Sequence, residues 1–171
     1  MQYDKMALGR MAKEMGYIRD TFEKVCRLAD ILKFFEEDAL ISEYLLLKGG
    51  TAINLTILEL PRLSVDIDLD FSKNLPKEEM ENIGRQICER IKKYMQANDY
   101  VLSPKSKYHA ALDSMVYGYQ NAGGNRDNLK IEINYMNRCH VLDPVRRKAY
   151  TPWRDDEVIV ACVAPVEIYA S

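Results

Sequence analysis

Hydrophobic residues recur along the chain with two different periods, and these periods predict helices and strands in alternation. In residues 20–37, apolar side chains follow one another at intervals of three and four, the period of an amphipathic helix. Residues 77–98 repeat that spacing over a longer stretch. The first pattern predicts an N-terminal helical segment over residues 1–40, packed on a core formed by residues 41–171.

Strand patterns lie between and after these helices. Residues 63–71 alternate apolar and polar side chains over nine positions, the clearest strand pattern in the chain. Residues 42–47 end in an apolar run before Lys48, Gly49 and Gly50. This order indicates a buried strand, a glycine turn and a short helix over residues 51–58. The remaining patterns predict strands at 100–103, 110–119 and 129–135, a loop at 121–128 and, after an apolar segment at 158–163, a helix at 164–171.

The alternation of the two periods predicts an α/β (α+β) fold, in which a mixed sheet has flanking helices and an N-terminal helical layer. We expect residues 45–48, 65–71 and 129–135 to share one sheet. The strand at 65–71 should have one apolar face, because successive side chains of a strand point to opposite faces.

Three carboxylates occupy the other face of that strand. Asp66, Asp68 and Asp70 are two residues apart, so they project from the same side and repel one another. A divalent cation among them would relieve the repulsion, and hard oxygen ligands suit Mg²⁺ or Mn²⁺. The alternative is an ordinary solvated face of an antiparallel strand. We predict that Asp66 and Asp68 bind the metal and that Asp70, near the strand end, is peripheral.

The glycine turn upstream is a candidate anion site. Glycines at positions 49 and 50 let backbone N–H groups approach a triphosphate, and the helix that begins near Thr51 adds its positive end. A plain strand-to-helix turn is the alternative. Lys48 is either a phosphate ligand or a solvated strand end. Because a nucleoside triphosphate needs an anion cradle and a divalent metal together, the two features support each other.

Three further residues complete the candidate site. Glu132 lies in the predicted strand at 129–135 and is either a ligand of a second metal, a proton acceptor, or a surface residue paired with Lys130 or Lys107. Arg62 and Ser64 share the side of the carboxylates and offer hydrogen-bond donors to phosphate oxygens. Their alternative role is an ordinary surface pairing between Arg62 and an aspartate.

Composition narrows the possible functions. The 24 basic and 26 acidic residues give a net charge of −2 and a pI near 5.8, which removes the electrostatic argument for a general nucleic-acid binder. The four cysteines form no Cys-x-x-Cys pair, so structural zinc is not expected, and Cys139 and His140 are interpreted as packing or surface residues. Neither a secretory signal nor a membrane-spanning run is visible, and we expect a cytoplasmic protein without a membrane partner.

A basic cluster at residues 146–148 is followed by Tyr150 and Trp153. This group either contacts a polyanion and stacks a base, or forms a solvated loop with an aromatic side chain beneath it.

Two segments together resemble a known family. They are LKGGTAINL at residues 47–55 and LPRLSVDIDLDF at residues 60–71, with weaker similarity in KIEINY at 130–135 and PVEIYA at 165–170. The chain resembles the AbiEii nucleotidyltransferase toxins of type IV toxin-antitoxin systems, within the DNA-polymerase-beta-like nucleotidyltransferases. The resemblance implies a nucleotidyltransferase fold, NTP as substrate, Mg²⁺ or Mn²⁺, an RNA acceptor such as tRNA or a protein acceptor, and a cognate antitoxin.

Two features depart from the resemblance. The wider superfamily has a hydrophobic residue where Lys48 precedes Gly49, and the family pattern implies a helical region beyond Ser171 that carries further functional residues. The present residues are then expected to hold only the nucleotide and metal half of the site. Three functions stay open: a nucleotidyltransferase, a non-catalytic nucleotide- or partner-binding domain, and a pure interaction module.

Overall fold

The computed structural model describes residues 3–56, 66–136 and 138–164, and side-chain caps mark the start of its first and third helices. Asp4 accepts a hydrogen bond from the Met6 N–H at the start of the first helix, and Gly16 ends that helix in the left-handed conformation. Asp38 caps the third helix through the N–H groups of Leu40 and Ile41. The helices are α1 (Lys5–Met15), α2 (Arg19–Glu37), α3 (Ala39–Tyr44), α4 (Gly49–Thr56) and α5 (Lys77–Ala97).

The strands of the described residues form one mixed sheet. They are β1 (Leu45–Lys48), β2 (Asp66–Phe71), β3 (Val101–Leu102), β4 (Lys107–Tyr108), β5 (Leu112–Gln120), β6 (Arg126–Asn134), β7 (Val145–Lys148) and β8 (Ile159–Cys162). Their order is β3-β5-β6-β2-β1-β8-β7, with β4 paired to β5. The pairs β2–β6 and β1–β8 are parallel and the others are antiparallel. The predicted α/β fold with a mixed sheet and flanking helices is confirmed.

The hydrophobic core lies on one face of this sheet. Ile67, Leu69 and Phe71 of β2 are buried there, as are Ile131 and Ile133 of β6. The apolar stripes of α2 and α5 belong to the same core cluster, and a smaller cluster joins α1 to α2. Because strand residues alternate, covering this face leaves the aspartates of β2 on the opposite one.

Three local predictions were wrong. Residues 42–44 are helical rather than extended, because the Asp38 cap starts α3 and the helix continues to Tyr44. Residues 126–128 belong to β6 rather than to a loop, since the hairpin pairs Gln120 with Arg126 and turns within five residues. The basic residues 146–148 lie in β7, which pairs with β8, so the solvated loop offered for them is wrong, and the alternative contact with a polyanion stays a prediction.

Some predictions fall outside the described residues. These are residues 165–171 of the predicted helix at 164–171, the end of the short helix after residue 56, and the start of the strand predicted at 63–71 before residue 66. No helix within the described ranges is both long and apolar enough to cross a bilayer.

Candidate functional site

The register of three adjacent strands places the predicted site residues side by side. In the antiparallel pair of β1 and β2, Lys48 is opposite Asp68. In the parallel pair of β2 and β6, Asp68 is opposite Glu132 and Asp66 is opposite Lys130. Directly opposite side chains in a sheet are close enough to interact. The sheet therefore gathers the three predicted carboxylates, Asp66, Asp68 and Glu132, on one face.

Like charges dominate this face. Burial raises the pKa of the Asp68 carboxyl, and the negative charges of Glu132 and Asp66 raise it further. Lys130 and Lys48 act in the opposite direction. Three carboxylates thus lie near one another, and the pKa of the central one, Asp68, is raised. A divalent cation would stabilise this arrangement.

Glu132 also has a nearby cation within its own strand. The Lys130 Nζ lies 2.5 Å from the Glu132 Oε1, and the Glu132 side chain is 23% exposed. The hydrogen bond to Glu132 is the largest cause that raises the pKa of Lys130. The pairing of Glu132 with Lys130, which the sequence left open as an alternative, is thus present.

The glycine turn packs directly against the central carboxylate. Gly49 has a φ of +75°, in the left-handed region that favours glycine. A Cβ placed on Gly49 would lie 2.7 Å from the Asp68 Oδ2. Helix α4 begins at Gly49, so its positive end lies beside the carboxylate face. Thr51 is buried and its hydroxyl donates a hydrogen bond to the Asp66 carbonyl, which ties the turn to β2.

Asp70 is the centre of a separate ion-pair cluster. It is 3% exposed, and the prediction that it is peripheral to a metal at Asp66 and Asp68 stays a prediction. The Lys48 Nζ is 2.6 Å from its Oδ1, and the His140 Nε2 is 3.0 Å from its Oδ2. Lys48 therefore pairs with Asp70 on the carboxylate face. The sequence had left two alternatives for Lys48, a phosphate ligand and a solvated strand end.

His140 is the site residue that sequence reasoning missed. The sequence predicts a packing or surface residue; its side chain is packed, with 11% exposed, and it contacts Asp70, a contact that was not predicted. The two residues are 70 positions apart, so no local pattern links them. A buried carboxylate needs a hydrogen-bonding partner, but no pattern in the sequence indicated that Asp70 is buried, so the sequence held no signal for this contact. Cys139, its neighbour, is exposed as expected of a surface residue.

The carboxylates of Asp66 and Asp68 have the donor chemistry that suits a hard divalent cation. No group of three or more metal-ligating side chains closes around a single point in the described ranges. The fit thus rests on the aspartate pair, with Glu132 across from Asp68. Gly50 lies in the first turn of α4. Arg62 and Ser64 lie outside the described residues, and their predicted role stays a prediction.

Comparison with known proteins gives a family and a fold. Residues 33–171 match the family described as "Nucleotidyl transferase AbiEii toxin, Type IV TA system". A search of curated proteins finds no match.

Among solved structures, the chain is similar to MenT4, a nucleotidyltransferase toxin of Mycobacterium tuberculosis, with a TM-score of 0.69 and 16% identity over 99% of this chain and 57% of that one. It is also similar to JHP933 of Helicobacter pylori, with a TM-score of 0.53 and 21% identity over 84% of this chain and 52% of that one. A putative nucleotidyltransferase from H. pylori gives a TM-score of 0.53 and 20% identity over 84% of this chain and 54% of that one. The chain thus spans just over half the length of the structures it matches.

Proposed function

The chain belongs to the AbiEii nucleotidyltransferase toxin family of type IV toxin-antitoxin systems, and from this premise we propose its reaction. The full-length protein transfers a nucleotide from an NTP, with Mg²⁺ or Mn²⁺, to an RNA acceptor such as tRNA or to a protein acceptor. A hydroxyl of the acceptor forms a bond to the α-phosphorus of the NTP, and pyrophosphate leaves. It acts in the cytoplasm and is neutralised by a cognate antitoxin. Residues 1–40 serve as a helical layer that supports the nucleotidyltransferase core of residues 41–171.

One observation carries the proposal: the glycine turn and the acidic face are in direct contact. Gly49 approaches Asp68 so closely that a Cβ would lie 2.7 Å from its Oδ2. A triphosphate bound at the start of α4 would therefore lie beside the carboxylates. The backbone N–H groups of Gly49, Gly50 and Thr51 hold the phosphates, and Arg62 and Ser64 donate to their oxygens.

The acidic residues have separate tasks in this proposal. Asp66 and Asp68 hold the divalent cation, which neutralises charge on the transferred phosphoryl group when bound. Glu132, opposite Asp68 on β6, lies nearest the acceptor and accepts the proton of the attacking hydroxyl or holds a second ion. For either task the Glu132 carboxylate must be released from Lys130.

That ion pair favours a second candidate function. With Lys130 held 2.5 Å from Glu132, the third carboxylate already has a cation, and the domain could bind a nucleotide or a protein partner without catalysis. The two functions differ in whether a covalent product forms.

The test incubates the full-length protein with each of the four α-labelled NTPs in turn, in the presence of Mg²⁺ and of total RNA or total protein. We expect label to enter one acceptor class, and Asp68→Asn to abolish this transfer. Asp156→Asn, which changes an exposed carboxylate in the turn before β8, is the matched control and should transfer like the parent. NTP binding without label transfer would support the non-catalytic alternative.

A further inference from the structure

Lys48 has two carboxylates as neighbours on the next strand, and it pairs with the diagonal one rather than with the one directly opposite. It is directly opposite Asp68 in the β1–β2 ladder, whereas Asp70 is its diagonal neighbour, opposite Leu46. Opposite Cβ atoms in such a ladder are about 4.5–5.5 Å apart and diagonal ones about 7–8 Å apart. The Lys48 Nζ nevertheless lies 2.6 Å from the Asp70 Oδ1.

Burial explains this choice. Asp70 is 3% exposed, and an ionised carboxylate at such a position is costly unless it is paired and hydrogen-bonded. Lys48 forms an ion pair with one of its oxygens, and the His140 Nε2 lies within hydrogen-bonding distance of the other. Asp68 is only half-buried and lies beside the positive end of α4, so it needs the lysine less.

We propose that Asp70 is a positioning residue that holds Lys48 away from Asp68 and so keeps the Asp68 carboxylate open for the divalent cation. The inference rests on the proposed metal site at Asp66 and Asp68. His140 fixes the Asp70 carboxylate in the orientation that faces Lys48. When Asp70 is replaced by an uncharged side chain, Lys48 moves to the directly opposite Asp68 and competes with the cation there.

A double-mutant cycle tests this with Mn²⁺ as the probe. In the full-length protein, Mn²⁺ affinity is measured by electron paramagnetic resonance for the parent, Asp70→Asn, Lys48→Met and the double variant. We expect Asp70→Asn to weaken Mn²⁺ binding about tenfold or more, and Lys48→Met to restore it. The effect of Lys48→Met should be at least about tenfold larger in the Asp70→Asn background than in the parent, the coupling expected of charges in contact.

A long-range electrostatic effect of the Lys48 charge on Mn²⁺ affinity predicts a different result from a direct contact with Asp68. If Lys48 acted only through its long-range field, Lys48→Met would strengthen Mn²⁺ binding equally in both backgrounds, and that additivity would overturn the proposal. Asp70→Ser repeats the cycle with a smaller side chain should the asparagine variant not fold. Asp68→Ala tests the proposed metal site separately: unchanged Mn²⁺ affinity in that variant contradicts the site.

A crystal structure of the Asp70→Asn protein decides the question without metal. The proposal expects the Lys48 Nζ within hydrogen-bonding distance of an Asp68 carboxylate oxygen. If the Lys48 side chain stays in contact with the asparagine at position 70, or turns to solvent, the proposal is overturned.

Discussion

Replacing Gly49 with alanine should damage both the stability of the protein and its acidic site. The alanine Cβ would lie 2.7 Å from the Asp68 Oδ2 and 3.3 Å from the Asp68 Cβ, so the Asp68 side chain must shift. The backbone at this position has a φ of +75°, which an L-residue adopts at a cost of about 1–2 kcal/mol. Forcing the added methyl against Asp68 should cost about 1–3 kcal/mol more.

Gly16→Ala is the matched control for this variant. Gly16 has a nearly equal φ of +77°, but nothing lies within 4 Å of the Cβ that alanine would add. It should therefore show the backbone cost alone. The difference between the two variants isolates the contact with Asp68.

Urea unfolding and Mn²⁺ titration measure the two effects. We expect Gly16→Ala to lower the free energy of unfolding by about 1–2 kcal/mol and to leave Mn²⁺ affinity unchanged. Gly49→Ala should lower it by about 2–5 kcal/mol and weaken Mn²⁺ binding about tenfold or more, because a site displaced by about half an ångström loses its geometry. Equal stability and equal Mn²⁺ affinity in the two variants would refute the close contact as the reason for glycine at position 49.

Three further predictions concern separate features. Glu132→Gln should leave NTP affinity nearly intact and slow single-turnover transfer by about 10²-fold, whereas Gly50→Val should lose NTP binding first; transfer at the parental rate by Glu132→Gln would make Glu132 a surface residue. Arg27→Met leaves the fully buried Glu23 without its cation and should lower the free energy of unfolding by about 3–5 kcal/mol, which an unchanged urea midpoint would contradict. Exposed Cys139 should react with a thiol reagent at pH 8, whereas burial raises the pKa of Cys26 to about 12 and keeps it protonated and protected; equal labelling of both in the native protein would be inconsistent with this fold.

The sequence predicted those parts of the site that lie within one element. The alternation in residues 66–71 identified β2 and the face of its aspartates, because a half-buried strand must present apolar side chains on one side only. The two glycines before Thr51 likewise identified the change from a strand to a helix, although α4 begins at Gly49 itself rather than after the glycines. Both are local consequences of backbone geometry and burial.

Contacts between distant elements could not be predicted in this way. Asp68 is opposite Glu132 because β2 and β6 pair in one particular parallel register, and no single strand specifies its partner's register. The contact of His140 with Asp70 depends on a segment that follows β6 and has no regular pattern of its own. Strand β7 was missed for another reason: it is a four-residue edge strand rich in basic side chains, a composition typical of a loop.

Titration of the full-length protein with Mn²⁺ tests the central claim most directly, namely that the acidic face beside the glycine turn is a divalent-cation site for nucleotidyl transfer. Asp66→Ala and Asp68→Ala should each weaken Mn²⁺ binding by about a hundredfold, whereas Asp156→Ala, at an exposed carboxylate paired with Arg154, should bind like the parent. If the variants at positions 66 and 68 bind Mn²⁺ as tightly as the parent, the aspartates of β2 are a solvated strand face and the proposed site is wrong.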